Sequence, residues 1–214
     1  NFDYLITGGA GHIGSSLVKR LAEKNKKASI LVIDNLSTGY KENINEIRNV
    51  ELLEADINNT NILDYFHEDF TCKYIFHYAA IVGVERTQKD PFSVLNDIEG
   101  MKNIIKIAKI TNPERLFLAS SSEVYGEPVE FPQNELTTPL NSRIPYAVVK
   151  NINEIYVKSF SKIDNFSYTI LRFFNTYGPC QSSDFVIPRF IKMALNNEDI
   201  SIYGDGSQTR TFLH

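Results

Sequence analysis

Cysteine is scarce in this 214-residue chain. Cys72 and Cys180 lie far apart and in no C-x-x-C pair, which argues against a disulfide framework or a thiolate zinc site and makes a reducing cytoplasm the expected setting. Nor is there a block of basic residues: 22 lysines and arginines face 26 aspartates and glutamates, a formal net charge of −4. Nucleic-acid binding, which needs clustered cations against phosphates, is not expected. No apolar run approaches the roughly 20 residues that cross a bilayer, and no signal peptide is visible, so no membrane partner is expected. Repeats and low-complexity tracts are missing too. What is there is ordinary for a globular chain, 43% hydrophobic and 22% charged. That excludes disorder and is enough to bury a substantial core.

Short apolar runs alternate with stretches of helical periodicity. Residues 2–7 read as a strand that ends at Gly8-Gly9, and 13–24 as a helix with Ile13, Leu17, Val18 and Leu21 on one stripe. Further strands are predicted at 29–33, 50–54, 74–77, 115–119 and 168–173. A long helix is predicted over 92–110, its stripe running through Leu95, Ile98, Met101, Ile104, Ile105 and Ala108, and another over 146–160. Gly100 inside the first of these costs about 1 kcal/mol relative to Ala, so close packing against a neighbour is expected there. Connections too long for hairpins imply a mostly parallel sheet with helices on both faces, a doubly wound α/β fold. After residue 174 the pattern changes: a turn-rich stretch at 175–179, a helix at 186–195, a short strand at 200–203 and a loop at 204–207. The expected organisation is a Rossmann-like dinucleotide-binding domain over 1–174 and, over 175–214, the start of a smaller substrate lobe that is cut short.

The first strand runs into Thr7-Gly8-Gly9-Ala10-Gly11-His12-Ile13-Gly14. Gly9, Gly11 and Gly14 satisfy G-x-G-x-x-G, and Gly8, Gly11 and Gly14 fit a second register. In either, glycine permits the tight turn, lets a diphosphate approach backbone and lets helix and strand pack closely. The helix that follows offers free N–H groups and the positive end of its dipole. His12 reads as a first-turn residue beside the diphosphate, with no part in proton transfer. Asp34 lies 20 residues past Gly14 at the end of the second strand, where a carboxylate accepts both ribose hydroxyls. It would repel a 2′-phosphate, and no arginine follows it through Gly39, so NAD is expected over NADP.

Of the eleven tyrosines, only Tyr146 has a lysine four residues later, Lys150. On a helix these share a face and can address one ligand. An ammonium beside a phenol, together with the positive charge of an oxidised nicotinamide, would bring the phenol toward working pH. The fifth strand ends in Ser120-Ser121-Ser122-Glu123, at the carboxyl edge where doubly wound sheets hold ligands. A hydroxyl there could orient a reacting oxygen for Tyr146.

On these residues the chain resembles the extended short-chain dehydrogenase/reductase family, in particular its NAD-dependent sugar-nucleotide epimerases, dehydratases and decarboxylases. The match takes in the glycine turn, Asp34-Asn35-Leu36-Ser37, Asp56-Ile57, Phe76-His77-Tyr78-Ala79-Ala80, the serine loop and Tyr146/Lys150. It continues through Arg172-Phe173-Phe174-Asn175 to the run 204–210 that ends at Arg210. The resemblance implies cofactor contacts from Gly8, Gly11, His12, Ile13, Gly14, Asp34, Asn35 and Ser37, adenine contacts from Asp56 and Ile57, and a groove lined by Ala79 and Ala80. Tyr146 and Lys150 would contact the cofactor as well as take part in catalysis. Ser121 matches the family's catalytic serine or threonine, with Glu123 two positions on. Asn175 and Arg210 match positions that hold a sugar nucleotide, the arginine pairing with its diphosphate.

The reaction so implied begins by oxidising C4 of a hexose linked to UDP, dTDP or GDP. Ser122 stands where the dTDP-glucose dehydratases carry aspartate, which disfavours that subclass. Epimerases need only room for the ketone to turn over. A 4-epimerase is therefore expected, with a UDP-glucuronate decarboxylase-like or 4,6-dehydratase-like enzyme as the alternative, and an inactive NAD-binding regulator as a reading of another class. Family members commonly dimerise through a four-helix bundle, which the helices at 92–110 and 146–160 would supply. No metal is expected.

Overall fold

The structure is a computed structural model that describes residues 1–214 except 84–86, 88 and 203. Six strands form one parallel sheet: β1 (Phe2–Thr7), β2 (Ile30–Asp34), β3 (Val50–Glu54), β4 (Cys72–His77), β5 (Arg115–Ser121) and β6 (Ser167–Phe173). Their order is β3-β2-β1-β4-β5-β6, with Tyr4 beside Ile30 on one side and Tyr74 on the other. The chain winds outward from β1 to β3, returns to β4 against β1, and winds outward again. This is the doubly wound topology, and its switch point lies between β1 and β4.

Alternation along the strands feeds two cores. Leu5, Leu31, Ile75 and Leu116 point to one face, where they meet Met101, Ile104 and Ala108 of α2 (Pro91–Thr111) and Val157 of α3 (Pro145–Asp164). Their neighbours Ile6, Val32 and Phe76 point to the other face, onto Val18 and Ala22 of α1 (His12–Lys24). Period two along the strands thus sets helices on both faces. Helix ends follow local chemistry. Pro91 and Pro145 open α2 and α3, Asp90 accepts the Ser93 N–H, and Asn112 and Asn165 close the two helices in the left-handed conformation.

The stripe expected on α2 is displaced in its first half. Leu95 is exposed, and the buried positions are Val94, Asp97, Gly100 and Met101. The helix turns a carboxylate inward because the floor of the ligand cleft lies there. Gly100 is close-packed as expected: a Cβ would come within 2.3 Å of the Asn58 amide oxygen.

Beyond β6 the structure departs further from expectation. Asn175–Thr176 is a strand, β7, paired in parallel with β8 (Phe212–Leu213). The short strand expected at 200–203 is not formed at 200–202, and its last position lies outside the described residues. Helix α4 (Val186–Leu195) forms as predicted, with none of its residues buried. No described helix is long and apolar enough to cross a membrane.

Candidate active site

One cleft runs along the carboxyl edge of the sheet, between the two halves of the winding. Gly8, Gly11, His12, Ile13, Gly14, Asp34, Asn35, Ser37, Asp56, Ile57, Ala79 and Ala80 line one half. Ser121, Glu123, Tyr146, Lys150 and Asn175 line the other. Every site residue that the family resemblance implies faces this cleft except Arg210. The Arg210 guanidinium bonds the Thr209 carbonyl and the Gln208 amide oxygen in an exposed loop. That loop is folded on itself by Ser207, which donates to Asp205 through both N–H and hydroxyl.

The glycine turn is built by backbone contact. Gly8 sits at φ +69°, and a Cβ there would lie 2.7 Å from the Ala79 nitrogen. At Gly14 a Cβ would lie 2.0 Å from the Gly8 carbonyl oxygen. Gly9 packs on Val32 and does not line the cleft, so Gly8, Gly11 and Gly14 are the register that faces it. Gly11 differs from the other three. It has ordinary backbone angles, φ −80° and ψ −176°, and an added Cβ would meet only the Gly8 carbonyl oxygen at 3.4 Å. Nothing in the protein demands glycine at this position; a methyl group would simply stand in the cleft at the start of α1. No side chain caps that helix end, so its first amides and its dipole are available to an anion.

Asp34 is buried at the far end of this groove. One carboxylate oxygen accepts the Ala10 N–H and the other the Leu36 N–H, each at 2.9 Å. Each oxygen keeps a lone pair for a ribose hydroxyl. Asp56 is held by the Asn35 amide and the Asn58 N–H. At the switch point, the Thr7 hydroxyl accepts the Tyr78 and Ala79 N–H groups at 3.2 and 3.1 Å, so its own proton goes to His77 Nδ1 at 2.8 Å. Burial pulls His77 down to about 3, and the imidazole stays neutral.

On the other half, α3 aims Tyr146 and Lys150 at the cleft one helical turn apart. The Tyr146 phenol lies beside Ser121, whose hydroxyl accepts the Glu123 N–H at 3.2 Å. Lys150 is buried; its ammonium donates to the Ala119 carbonyl at 2.9 Å and lies 5.8 Å from the centre of the Tyr146 ring. In the chain by itself, without a nicotinamide's charge, the phenol is not acidic. Burial pushes Tyr146 up to about 12; the neighbouring Ser121 hydroxyl opposes that, and the Asp97 and Glu123 charges add to it. Lys150 is itself lowered by burial, against the pull of Asp97.

Sequence reasoning misses Asp97. It is 6% exposed, accepts the Ile81 N–H at 2.9 Å, lies near the Asn58 side chain and faces Lys150 from α2. Burial raises its pKa, and Lys150 is the strongest opposing influence. The signal that could have found it is a carboxylate three residues after Val94 and four before Met101, on the buried side of the helix.

A parallel doubly wound sheet whose switch-point cleft joins a glycine turn and Asp34 to Ser121, Tyr146 and Lys150 is the architecture of a dinucleotide-binding fold. The sequence model of the NAD dependent epimerase/dehydratase family matches residues 4–214, and the chain belongs to that family. It is 34% identical to a UDP-N-acetylglucosamine 4-epimerase from Methanobrevibacter ruminantium, solved in complex with UDP-N-acetylmuramic acid; the match covers 100% of this chain and 69% of that one, with a TM-score of 0.88. A Thermus thermophilus UDP-glucose 4-epimerase in complex with NAD is 27% identical over 98% of this chain and 70% of its own, with a TM-score of 0.87. UDP-glucuronic acid decarboxylase 4 of Arabidopsis thaliana is 33% identical over 97% of this chain and 47% of its own length. The chain thus spans about half of the decarboxylase and about two thirds of the epimerases.

NAD fits the residues present: the space kept open at Gly11, the uncapped helix and the Asp34 carboxylate match its diphosphate and ribose. The unmodified protein should bind NAD in preference to NADP, and Asp34→Ala should narrow that preference by about tenfold or more, the value of a charged hydrogen bond. Titration calorimetry with both dinucleotides checks this; equal affinity in the parent would refute the assignment.

Proposed function

We propose that the protein is a nucleotide-sugar 4-epimerase acting through transient oxidation at C4. The observation that carries this is the meeting of Ser121, Tyr146 and, one turn on, Lys150 in one cleft with the glycine turn and Asp34. NAD, when bound, supplies the hydride acceptor and donor that no side chain provides, and its oxidised ring carries a positive charge. Tyr146 takes the proton of the C4 hydroxyl and later returns it to the ketone oxygen. Ser121 orients that oxygen by a hydrogen bond. Because burial holds the phenol near 12 in the chain alone, its service as a base depends on positive charge brought into the cleft. Lys150, anchored on Ala119, contributes by placing its ammonium beneath the pair. Asn175 lines the cleft where the sugar nucleotide would lie. Exposed Phe92 and Leu95 on α2 and Ile155 and Ile163 on α3 support a homodimer.

Glu123 supports a second reading, decarboxylation or dehydration after the same oxidation. It is exposed yet lines the cleft, close enough for its charge to raise Tyr146. Product analysis by NMR, with NAD and a panel of UDP-, dTDP- and GDP-sugars, separates the outcomes. A C4 epimer supports the first reading. A pentose or a 6-deoxy-4-keto product supports the second. NAD binding with no turnover of any sugar would overturn both and leave a cofactor-binding regulator.

A further inference from the structure

We propose that Glu154 and Arg172, neither of which lines the cleft, are positioning residues that hold Tyr146 in register with Ser121. The proposal rests on the reading of that pair as the site of proton transfer.

Glu154 has no exposed side-chain surface. Its carboxylate accepts Arg172 Nε at 2.9 Å and Nη2 at 2.7 Å, the Ser120 hydroxyl at 2.6 Å and, more weakly, Lys158 at 3.4 Å. Arg172 spends its remaining nitrogen on the Tyr125 hydroxyl at 2.9 Å and the Glu135 carbonyl at 3.1 Å, and its guanidinium stacks 5.0 Å from the centre of the Tyr125 ring. Burial alone would raise Glu154, but Arg172 and Ser120 outweigh it and the carboxyl lies below its ordinary value.

The cluster joins parts of the chain that are distant in sequence. Glu154 is on α3, one turn beyond Lys150 and two beyond Tyr146. Ser120 immediately precedes Ser121 on β5 and pairs in register with Arg172 on β6. Tyr125 closes the short turn Ser122–Tyr125 that carries Glu123. One knot of side chains therefore ties together the three pieces of backbone that hold the reacting groups of this half of the cleft.

A buried ion pair is a poor choice for stability alone, since apolar residues of similar size commonly serve as well or better. What a two-pronged guanidinium–carboxylate bond adds is direction, because both N–H···O lines must be satisfied at once. That direction fixes how far α3 can slide or rotate against the end of β5. Proton transfer is sensitive to such a shift, and hydrophobic packing is not.

The test compares Glu154→Gln, Arg172→Lys and the double apolar variant E154M/R172M in the whole protein with NAD bound. Each single variant should lower kcat by about 10- to 100-fold while KM for the nucleotide sugar and NAD affinity stay within about threefold, as expected for misplacement of about 1 Å. The double variant should melt at or above the single variants and keep the low kcat. If its kcat recovers along with its Tm, or if all three variants keep kcat within about twofold of the parent, the proposal is overturned. Crystal structures of the parent and the double variant read the same point without turnover: the distance between the Ser121 and Tyr146 hydroxyls should change by about 1 Å, and an unchanged distance overturns the proposal. Should the parent convert no nucleotide sugar, the proton-transfer reading fails by itself and those structures still decide the register.

Discussion

Tyr146→Phe is expected to lower kcat by about 10³-fold, within the range for removing a general acid–base group, while leaving NAD affinity nearly unchanged. The substitution deletes one oxygen and keeps the ring. The ring is only partly buried, and the hydroxyl lost lies beside Ser121, whose own hydroxyl still accepts the Glu123 N–H, so the structural cost is small. The cofactor-facing residues of the β1–β3 half are untouched. Steady-state kinetics beside NAD titration separate the effects: a kcat within about threefold of the parent would remove Tyr146 from the chemistry, given the size of effect its role requires. A fall in NAD affinity matching the fall in kcat would recast it as a binding residue.

The second large effect is expected at Gly14. Its replacement by alanine sets a Cβ 2.0 Å from the Gly8 carbonyl oxygen and 2.8 Å from the Gly8 carbonyl carbon and Gly9 Cα. All three are backbone atoms of the turn, with no flexible side chain to yield, so α1 must draw back or the turn must open. Overpacking of this kind costs about 1–3 kcal/mol, and the turn it deforms is the one that would face the diphosphate. Gly14→Ala should therefore lower Tm and weaken NAD by about 100-fold or more. Gly11→Ala is the informative contrast. Its Cβ makes only an ordinary 3.4 Å contact, so Tm without cofactor should stay at the parent value while NAD affinity still falls. Thermal unfolding with and without NAD measures both. Parent-like NAD affinity in Gly14→Ala, or a Gly11→Ala protein that binds NAD normally, would contradict the placement of the diphosphate.

Much of the scaffold is legible because each strand is a short apolar run with its own punctuation. Residues 2–7 and 50–54 are strands with the expected bounds, and α4 occupies 186–195 as predicted. The Tyr146–Lys150 pair and the glycine turn are legible for a related reason: both are local spacings, and local geometry carries them to one edge. Less legible is whatever depends on contacts across the fold. Leu95 reads as part of the buried stripe because leucine usually is, yet the helix turns Asp97 inward toward Lys150. Glu154 gives no local sign of its importance, since its partners Ser120 and Arg172 lie 34 and 18 residues away. The pairing of β7 with β8 joins two residues to two across a segment that contains α4, too short a pattern to stand out from turn-rich sequence. Arg210 shows the converse. Its motif is specific, but the loop that carries it closes on itself and leaves the guanidinium in the open.

The strand order has a thermodynamic corollary. β1 and β4 are adjacent although Phe2 and Cys72, which pair across them, are 70 residues apart, so the seam in the middle of the sheet joins two separately wound parcels of chain. A dinucleotide held, as proposed, both at the glycine turn and at the serine loop would act as a splint, binding only while both parcels are docked. By mass action, each tenfold of saturation then adds about 1.4 kcal/mol against their separation. Occupancy and cooperativity of unfolding would thus become one property of the molecule.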